Sequence, residues 1–409
     1  MTNAHSASTP LLLTHYTATS CLGHGRSPLL AALRNGRGGL TPCTFETVQL
    51  DTYVGEVAGV DAGPLPKELR EFECRNNRLA LLAVRQDGFD EAARALLARV
   101  GRQRCGLFLG TSTSGILETE VAYRQRDPVT GALPATLLYA STHNTFSVGA
   151  FLRRYWQIEG PTVVVSTACS SSAKVFATAQ RMIAAGVIDA AIVGGVDSLC
   201  LTTLYGFHAL QLIARGPCKP CALDRDGISI GEAAAFALLQ RVDARHIAAR
   251  TDNASIVLLG VGESSDAYHL SAPHPDGAGA RLAMTAAIHA AGLEPSQIDY
   301  VNLHGTATPS NDRAESRAVV AVFGSAVKCS STKGATGHTL GAAGALEAVI
   351  CAMSIETGIV PGGINTGTVD PALGLTYLTQ TEMRHSKYVL SNSFGFGGTN
   401  CSLILGRLE

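Results

Sequence analysis

Short, uninterrupted apolar runs alternate along the chain with longer segments in which apolar residues recur every three or four positions. The uninterrupted runs predict strands buried on both faces, because a half-exposed strand would alternate apolar with polar residues. The longer segments predict helices with one apolar stripe. In the first part of the chain the predicted strands are residues 162–167 (TVVVST), 190–193, 233–239 and 255–261.

The segment after strand 162–167 has the clearest helical stripe. Its apolar side chains lie three or four positions apart, and Gly186 follows them as a helix-ending residue. The stripe consists of Val175, Phe176, Ala179, Met182 and Ile183.

The second half of the chain repeats the alternation of strand and helix. Helices are predicted over residues 278–291, 313–323 and 341–356, and strands over 299–303 and 327–330. Two further segments, 388–391 and 399–405, flank a glycine-rich turn and predict a terminal hairpin. This order predicts α/β layers, and the absence of a linker-like segment predicts that both halves pack as one body.

The composition excludes several classes of protein. With 46% hydrophobic residues and a formal net charge of −1, the chain has neither the low hydropathy nor the high charge of a disordered protein. Binding of nucleic acid through bulk charge needs a basic chain, so no nucleic acid partner is expected. The apolar stretches 233–239 and 348–355 are shorter than the ~18 residues of a membrane span. Because the first residues also lack a basic leader, we expect a cytoplasmic protein and no membrane partner.

The 11 cysteines, an odd number without an export signal, predict free thiols rather than a disulfide framework. Cys218 and Cys221 form the closest pair. A redox or metal-binding role for this pair would need a second pair, or a histidine at ligand spacing. Neither is present, so a proline-rich loop is expected and no metal site is predicted.

Cys169 lies in the motif STACSSS, directly after strand 162–167 and at the start of the striped helix. The partial positive charge and free N–H groups of a helix N-terminus stabilise a thiolate. We therefore expect the pKa of Cys169 to be lowered and its thiol to be a nucleophile. A buried structural cysteine is the alternative interpretation.

Two histidines and a glycine-rich loop follow in the second half. His304 follows strand 299–303, and His338 ends the motif KGATGH that begins at Lys333, again between a strand and a helix. The loop NSFGFGGTN (392–400) contains glycines that allow a backbone N–H to point at an oxyanion. Each feature alone is also typical of a structural role. Together they predict acyl transfer through a thioester, whereas a serine hydrolase is disfavoured because no G-x-S-x-G motif is present.

These segments, in this order and together with DRDG at 224–227, resemble the β-ketoacyl-acyl-carrier-protein synthases of the I/II type over nearly the whole chain. The resemblance implies a thiolase-like fold of two similar halves in a layered αβαβα core. Residues 1–250 would carry the nucleophile, and residues 251–409 the two histidines and the glycine-rich loop. It also implies an acyltransferase that performs decarboxylative Claisen condensation in fatty-acid, polyketide or aryl-polyene biosynthesis. The substrates would be carried on the phosphopantetheine of acyl carrier protein, with no other cofactor.

The resemblance assigns roles to the central residues of the motifs. Cys169 is implied to be the acylated nucleophile, with its own N–H and that of Phe396 as the oxyanion hole. His304 and His338 are implied to bind the malonyl thioester carbonyl and stabilise the enolate left after loss of carbon dioxide. Lys333 is implied to support this site electrostatically.

Further roles follow from the same resemblance. Glu347, nine residues after His338, is implied to be a buried carboxylate that organises the site. Thr306 and Thr308 are implied to hydrogen-bond the pantetheine arm. Phe207 is similar to the aromatic residue near the acyl pocket of this family, and Phe396 to its gate.

Some features depart from the usual pattern of the family. The opening segment 11–23 lacks the familiar V-x-I-T-G-x-G start, and the residues after DRDG are less glycine-rich than in housekeeping enzymes. These departures favour a specialised pathway, in which the chain forms a homodimer or pairs with a related, non-identical subunit. The alternatives are a structural partner in a ketosynthase/chain-length-factor pair and a cysteine-dependent thiolase or hydrolase. The presence of Cys169 with both histidines argues against the former.

Docking of an acidic carrier protein requires local positive charge on this neutral chain. Lys67 and Arg70, in the segment PKELR, lie in a region that resembles the docking edge of the family. A solvated helix face is the alternative interpretation of the same residues.

Overall fold

The computed structural model describes residues 9–242 and 255–408. Their strands are β1 (Leu11–Ser20), β2 (Gly23–His24), β3 (Thr41–Pro42), β4 (Tyr53–Gly55), β5 (Cys105–Gly110), β6 (Thr162–Val165), β7 (Ala190–Asp197), β8 (Ile230–Gly231), β9 (Ala233–Arg241), β10 (Ile256–Ser265), β11 (Tyr300–Asn302), β12 (Lys328–Ser330), β13 (Ile359–Val360), β14 (Thr376–Tyr377), β15 (Glu382–Met383), β16 (Tyr388–Gly395) and β17 (Thr399–Arg407). Their α-helices are α1 (Arg26–Arg34), α2 (Arg75–Val84), α3 (Phe89–Val100), α4 (Ile116–Arg124), α5 (Ser147–Trp156), α6 (Ser171–Ala184), α7 (Leu201–Ala209), α8 (Ala278–Ala291), α9 (Pro309–Phe323), α10 (Lys333–Thr336) and α11 (Ala343–Thr357).

The same strand order occurs twice. In the first half it is β6-β5-β7-β9-β1, and in the second half it is β12-β11-β16-β17-β10, with β14 added beside β12. In both halves the first two pairings are parallel and the last two are antiparallel. The two sheets join where Leu11, Leu12 and Leu13 of β1 pair with β10. The predicted boundary between residues 250 and 251 lies outside the described residues.

Helices α6 and α11 lie side by side between the two sheets. Their apolar side chains form one continuous core with the inner faces of both sheets, including Val175, Phe176, Val349 and Ala352. A second core lies under α2, α3 and α5 on the outer face of the first sheet, and a third lies under α8 and α9 on the outer face of the second. These are the five layers expected for a thiolase-like fold.

The hydrophobic pattern located most elements correctly, and the differences have local causes. Helix α9 begins at Pro309 rather than at residue 313, because the side chain of Thr308 caps it by accepting a hydrogen bond from the backbone N–H of Asn311. The predicted strand 162–167 is shorter, and it is not buried on both faces. Strand β6 is the edge of the sheet, and all four of its residues are half-buried.

An 18-residue window, Leu340–Thr357, is long and apolar enough to cross a membrane by composition. The expectation that no apolar stretch reaches this length was therefore too strict. The window comprises a short 3₁₀ turn followed by α11, and 89% of it is buried inside the protein. Its apolar character is accounted for by the central layer, where a helix contacts protein on all sides.

Gly344 of α11 lies against α6 so closely that an added Cβ would be 2.6 Å from the backbone nitrogen of Ala173. We predict that Gly344→Ala lowers the free energy of unfolding by about 1 to 3 kcal/mol, because backbone atoms of two packed helices must separate. Gly206→Ala is the matched control, since nothing lies within 4 Å of its added Cβ in helix α7. Urea unfolding followed by circular dichroism measures both; equal stability of the two variants would contradict this account of the packing.

Candidate active site

Cys169 lies in the tight connection between β6 and α6. The residue before it, Ala168, has φ = +51°, a conformation that side chains other than glycine adopt only under constraint. Ser171 supplies part of the constraint: its hydroxyl donates to the carbonyl of Ala168 at 2.6 Å and accepts from the N–H of Thr167 at 2.9 Å. Ser170 adds a bond to Thr399 at 2.9 Å. The serines of the STACSSS motif therefore fix the backbone that carries the thiol.

Both predicted histidines lie close to this thiol. Nε2 of His338 lies 2.9 Å from Sγ of Cys169. The rings of His304 and His338 are almost perpendicular, with centroids 5.3 Å apart. One ligand atom from each of the three side chains lies within 4.8 Å of the other two, and all three residues are buried. The fold thus brings the three principal predicted residues together.

Burial decides the protonation of these groups. It raises the pKa of the Cys169 thiol to about 11, although the positive charge of Lys333 and the backbone N–H of Phe396 act in the opposite direction. The expectation of a lowered pKa was therefore wrong, because loss of water outweighs the helix N-terminus. Burial also holds the pKa values of His304 and His338 well below the ordinary range, and Lys333 lowers both further. At neutral pH both rings are uncharged.

Lys333 and Glu347 form a fully buried ion pair behind the cavity. Burial raises the pKa of Glu347 to about 7, with Lys333 opposing the shift. Neither residue lines the cavity that contains Cys169. Lys333 therefore acts on the site through its electrostatic field, while the ion pair with Glu347 holds the lysine in place.

The cavity around Cys169 also contains the other predicted side chains. Phe207 and Phe396 lie across it with ring centroids 5.4 Å apart. Phe396 belongs to the glycine-rich turn between β16 and β17, in which Gly397 has φ = +79° and Gly398 φ = +76°. Thr306 and Thr308 line the same cavity, and their hydroxyls are 3.0 Å apart.

Two buried carboxylates that hold the site were not predicted from the sequence. Glu315 of α9 accepts hydrogen bonds from the backbone N–H groups of His304 and Gly305, each at 2.8 Å. Asp197, at the end of β7, accepts from the backbone of Ser112, Thr113 and Gly341. Glu315 could have been found from the sequence, because it is an acidic residue on the otherwise buried face of the helix that follows the motif HGTAT (304–308).

Lys67 and Arg70 lie apart from this cavity. Both are exposed on a 3₁₀ helix, Lys67–Phe72, and Nε of Arg70 donates to the carbonyl of Leu65. Glu68 and Glu71 lie on the same turn, so the local charge is balanced. Docking by these two residues stays a prediction.

Cys218 and Cys221 are buried free thiols. Sγ of Cys218 donates to the carbonyl of Lys333 at 3.2 Å, and the N–H of Cys221 donates to Asp312 at 2.8 Å. The pair therefore helps to position the segments around the cavity rather than forming a bond of its own.

Comparison with known proteins identifies the family of the chain. Residues 20–244 match the N-terminal domain of beta-ketoacyl synthases, and residues 255–367 match the C-terminal domain. The chain belongs to the β-ketoacyl synthase family. The 3-oxoacyl-[acyl-carrier-protein] synthase 2 of Coxiella burnetii is 31% identical, over 97% of this chain and 98% of its own length. The chain spans 63% of the length of the Vibrio cholerae synthase 2, with 38% identity, and 57% of the mitochondrial Arabidopsis thaliana synthase.

Solved structures show the same fold. The ketosynthase ApeO in complex with its chain length factor ApeC, from Xenorhabdus doucetiae, is 37% identical, with a TM-score of 0.87 over 98% of both chains. The ishigamide ketosynthase/chain length factor has a TM-score of 0.88 at 28% identity, over 98% of this chain and 100% of its own.

We predict that alkylation of Cys169 by iodoacetamide accelerates about tenfold per pH unit from pH 7 to pH 10, because only the thiolate reacts. With a pKa of about 11 the thiolate fraction is still rising over this whole range. Mass spectrometry of the Cys169 peptide gives the rate. The urea-unfolded chain is the control, since its thiols level off near their ordinary pKa of about 8.5. If the alkylation rate of the folded protein reached a plateau below pH 8, the helix N-terminus would outweigh burial in setting the pKa of Cys169.

Proposed function

We propose that this protein is a β-ketoacyl-acyl-carrier-protein synthase, an acyltransferase that condenses an acyl group on Cys169 with a malonyl group by decarboxylative Claisen condensation. The observation that supports it is the position of one thiol within 4.8 Å of two buried imidazoles in a single cavity. A thioester can form at that thiol, and an enolate can be stabilised beside it. No step of the proposed reaction uses a metal ion or a redox cofactor.

In the first half-reaction, Sγ of Cys169 attacks the acyl thioester on the phosphopantetheine of the carrier protein. The thiol is largely protonated at neutral pH, so its proton must leave as the S–C bond forms, and Nε2 of His338 at 2.9 Å is placed to accept it. Backbone N–H groups of Cys169 and Phe396 stabilise the tetrahedral oxyanion. The oxyanion collapses, the phosphopantetheine thiolate leaves, and it takes up the proton.

In the second half-reaction, malonyl thioester replaces the released carrier. The ring of His338 changes tautomer between the half-reactions, so that its proton moves from Nδ1 to Nε2. The Nε2–H groups of His304 and His338 then donate to the thioester oxygen, which becomes negative as carbon dioxide leaves. Burial keeps both rings neutral, and a neutral imidazole can donate one such bond. Each donor contributes about 3 kcal/mol to such a transition state. The enolate carbon then attacks the acyl carbon on Cys169, and the cysteine leaves as a thiolate that regains a proton.

The cavity also suits the arm that delivers both substrates. Thr306 and Thr308 place two hydroxyls on its wall, and we propose that they hydrogen-bond the amides of phosphopantetheine. Phe207 and Phe396 would contact the acyl chain beyond the thioester. The acyl carrier protein is the partner implied by this arm, with Lys67 and Arg70 as the docking residues predicted from the sequence.

We place the reaction in the cytoplasm, in fatty-acid, polyketide or aryl-polyene biosynthesis. The departures in the opening segment and after DRDG favour a specialised pathway. The solved structure of ApeO is a complex with its chain length factor. The alternative, a mainly structural partner in such a pair, is disfavoured because Cys169, both histidines and the Lys333–Glu347 pair are all in place.

Removal of single groups should separate the two half-reactions. We predict that Cys169→Ala abolishes the acyl adduct formed with acyl carrier protein, whereas His304→Ala still forms the adduct but condenses it with malonyl carrier protein about 10²- to 10³-fold more slowly. Intact-protein mass spectrometry detects the adduct, and product analysis measures condensation. Cys43→Ala is the control, a half-buried cysteine away from the cavity. An undiminished adduct in Cys169→Ala would refute the assignment.

A second chain of the same fold is the proposed structural partner. The carbonyl of Pro161 accepts a hydrogen bond from Leu107 of β5, and that of Val165 accepts one from Thr111, directly after β5. By alternation the polar backbone groups of Thr162 and Val164 face the open edge of β6. Helix α5 packs on β6, and the segment that leads into this helix exposes six large apolar side chains. These are Tyr123, Val129, Leu133, Leu138, Tyr139 and Phe146. An unpaired edge beside an apolar surface is typical of an interface.

We predict that Val164→Pro combined with Phe146→Glu converts the assembly to single chains, because one ladder donor is lost and a charge enters the apolar surface. Size-exclusion chromatography with light scattering, alone and with a co-expressed chain-length-factor subunit, gives the assembly state. Leu282→Glu is the control: this leucine is 58% exposed on α8, in the opposite outer layer. If the double variant still assembles like Leu282→Glu, the interface lies elsewhere.

A further inference from the structure

We propose that Cys169, His304 and His338, named here the C–H–H cluster, form a binding site for a thiophilic divalent cation such as Zn²⁺, and that Zn²⁺ bound there blocks acylation. The inference rests on the geometry of the cluster. The condensation reaction proposed above does not require it.

The ligand types are those that zinc prefers. A thiolate and two imidazole nitrogens are common zinc donors, and three protein ligands with one open position make an accessible zinc site. Among the described residues, the C–H–H cluster is the group of three or more potential ligands whose donor atoms lie close enough to share an ion.

The distances require only small side-chain movements. Zinc bonds of about 2.3 Å to sulfur and about 2.0 Å to nitrogen place tetrahedral ligand atoms about 3.4 to 3.6 Å apart. In the protein the Sγ to Nε2 distance between Cys169 and His338 is 2.9 Å, and no separation in the cluster exceeds 4.8 Å. An ion between the three atoms would lengthen the shortest separation and shorten the longest.

The surroundings leave the cluster available. Nδ1 of both imidazoles has no hydrogen-bond partner, so no protein group fixes either ring in one tautomer, and Nε2 can present its lone pair. The cavity leads from the cluster past Thr306 to the surface, which gives an ion a path and a water molecule the fourth position.

The charges near the cluster are of both signs. The positive charge of Lys333 reaches all three ligands, and Glu347 is paired with it. Asp197 also acts on Cys169, in the direction opposite to Lys333. On binding, the Zn–S bond forms as the S–H bond breaks, and the proton passes to solvent. Because an acyl group on Cys169 occupies the same sulfur, metal and acyl chain exclude each other.

The test uses the purified protein, freed of metal with a chelator. Titration with Zn²⁺ by calorimetry should show one strong site per chain and release of a proton. Titration with Co²⁺ should give a sulfur-to-metal charge-transfer band. In Cys169→Ser that band should be absent, and Zn²⁺ affinity should fall by more than about 100-fold, since even loss of an outer-shell partner costs 10- to 100-fold. His304→Asn should weaken binding while keeping the band.

Two controls separate this site from adventitious binding. Cys43→Ser should bind Zn²⁺ as the unmodified protein does, because Cys43 lies outside the cluster. Zn²⁺ should also slow alkylation of Cys169 in the unmodified protein. The proposal is overturned if Cys169→Ser retains the charge-transfer band or the affinity, or if Zn²⁺ leaves the alkylation rate unchanged. None of these readouts requires a carrier-protein substrate, so their outcome is independent of the proposed condensation.

Discussion

Exclusion of water from the space between the two sheets governs this site. The same burial that raises the pKa of Cys169 lowers those of His304 and His338 and raises that of Glu347. One physical cause thus favours the neutral forms of the thiol and of both imidazoles, and a buried ion pair lies behind them. Reactions that create charge transiently, such as attack on a thioester or loss of carbon dioxide, are sensitive to fixed N–H donors in such surroundings.

The duplicated architecture explains how distant motifs meet. Cys169 follows β6, the third in chain order of the five strands of the first sheet, and precedes the central helix α6. His338 occupies the corresponding place in the second half, after β12 and before the central helix α11. Because α6 and α11 pack side by side, their N-terminal ends bring these two residues into contact. The close approach at Gly344 and Ala173 is part of the same arrangement.

The sequence predicts much of this structure, since its main signals are local. Uninterrupted apolar runs identify buried strands, and the motifs locate Cys169, His304 and His338 between a strand and a helix. Three features were not predicted, because they depend on contacts between segments that are distant in sequence. The helix N-terminus predicts a lowered pKa for Cys169, but the burial that reverses it comes from segments distant in sequence, among them His338 and the loop at Phe396. Strand β6 has the composition of an interior strand and lies at an edge. Glu315 contacts the backbone of His304 only once α9 is folded.

The order of strands along the chain has a consequence for synthesis on the ribosome. All five strands of the first sheet lie before residue 242, and those of the second lie after residue 255. The first half can therefore form its complete sheet while the second is still being made, since domains generally fold as units from the N-terminus. Until α11 emerges, however, one face of α6 has no neighbour. The nascent first half is thus an ordered sheet with one exposed apolar face on α6. That face is covered only after the last third of the chain has been synthesised.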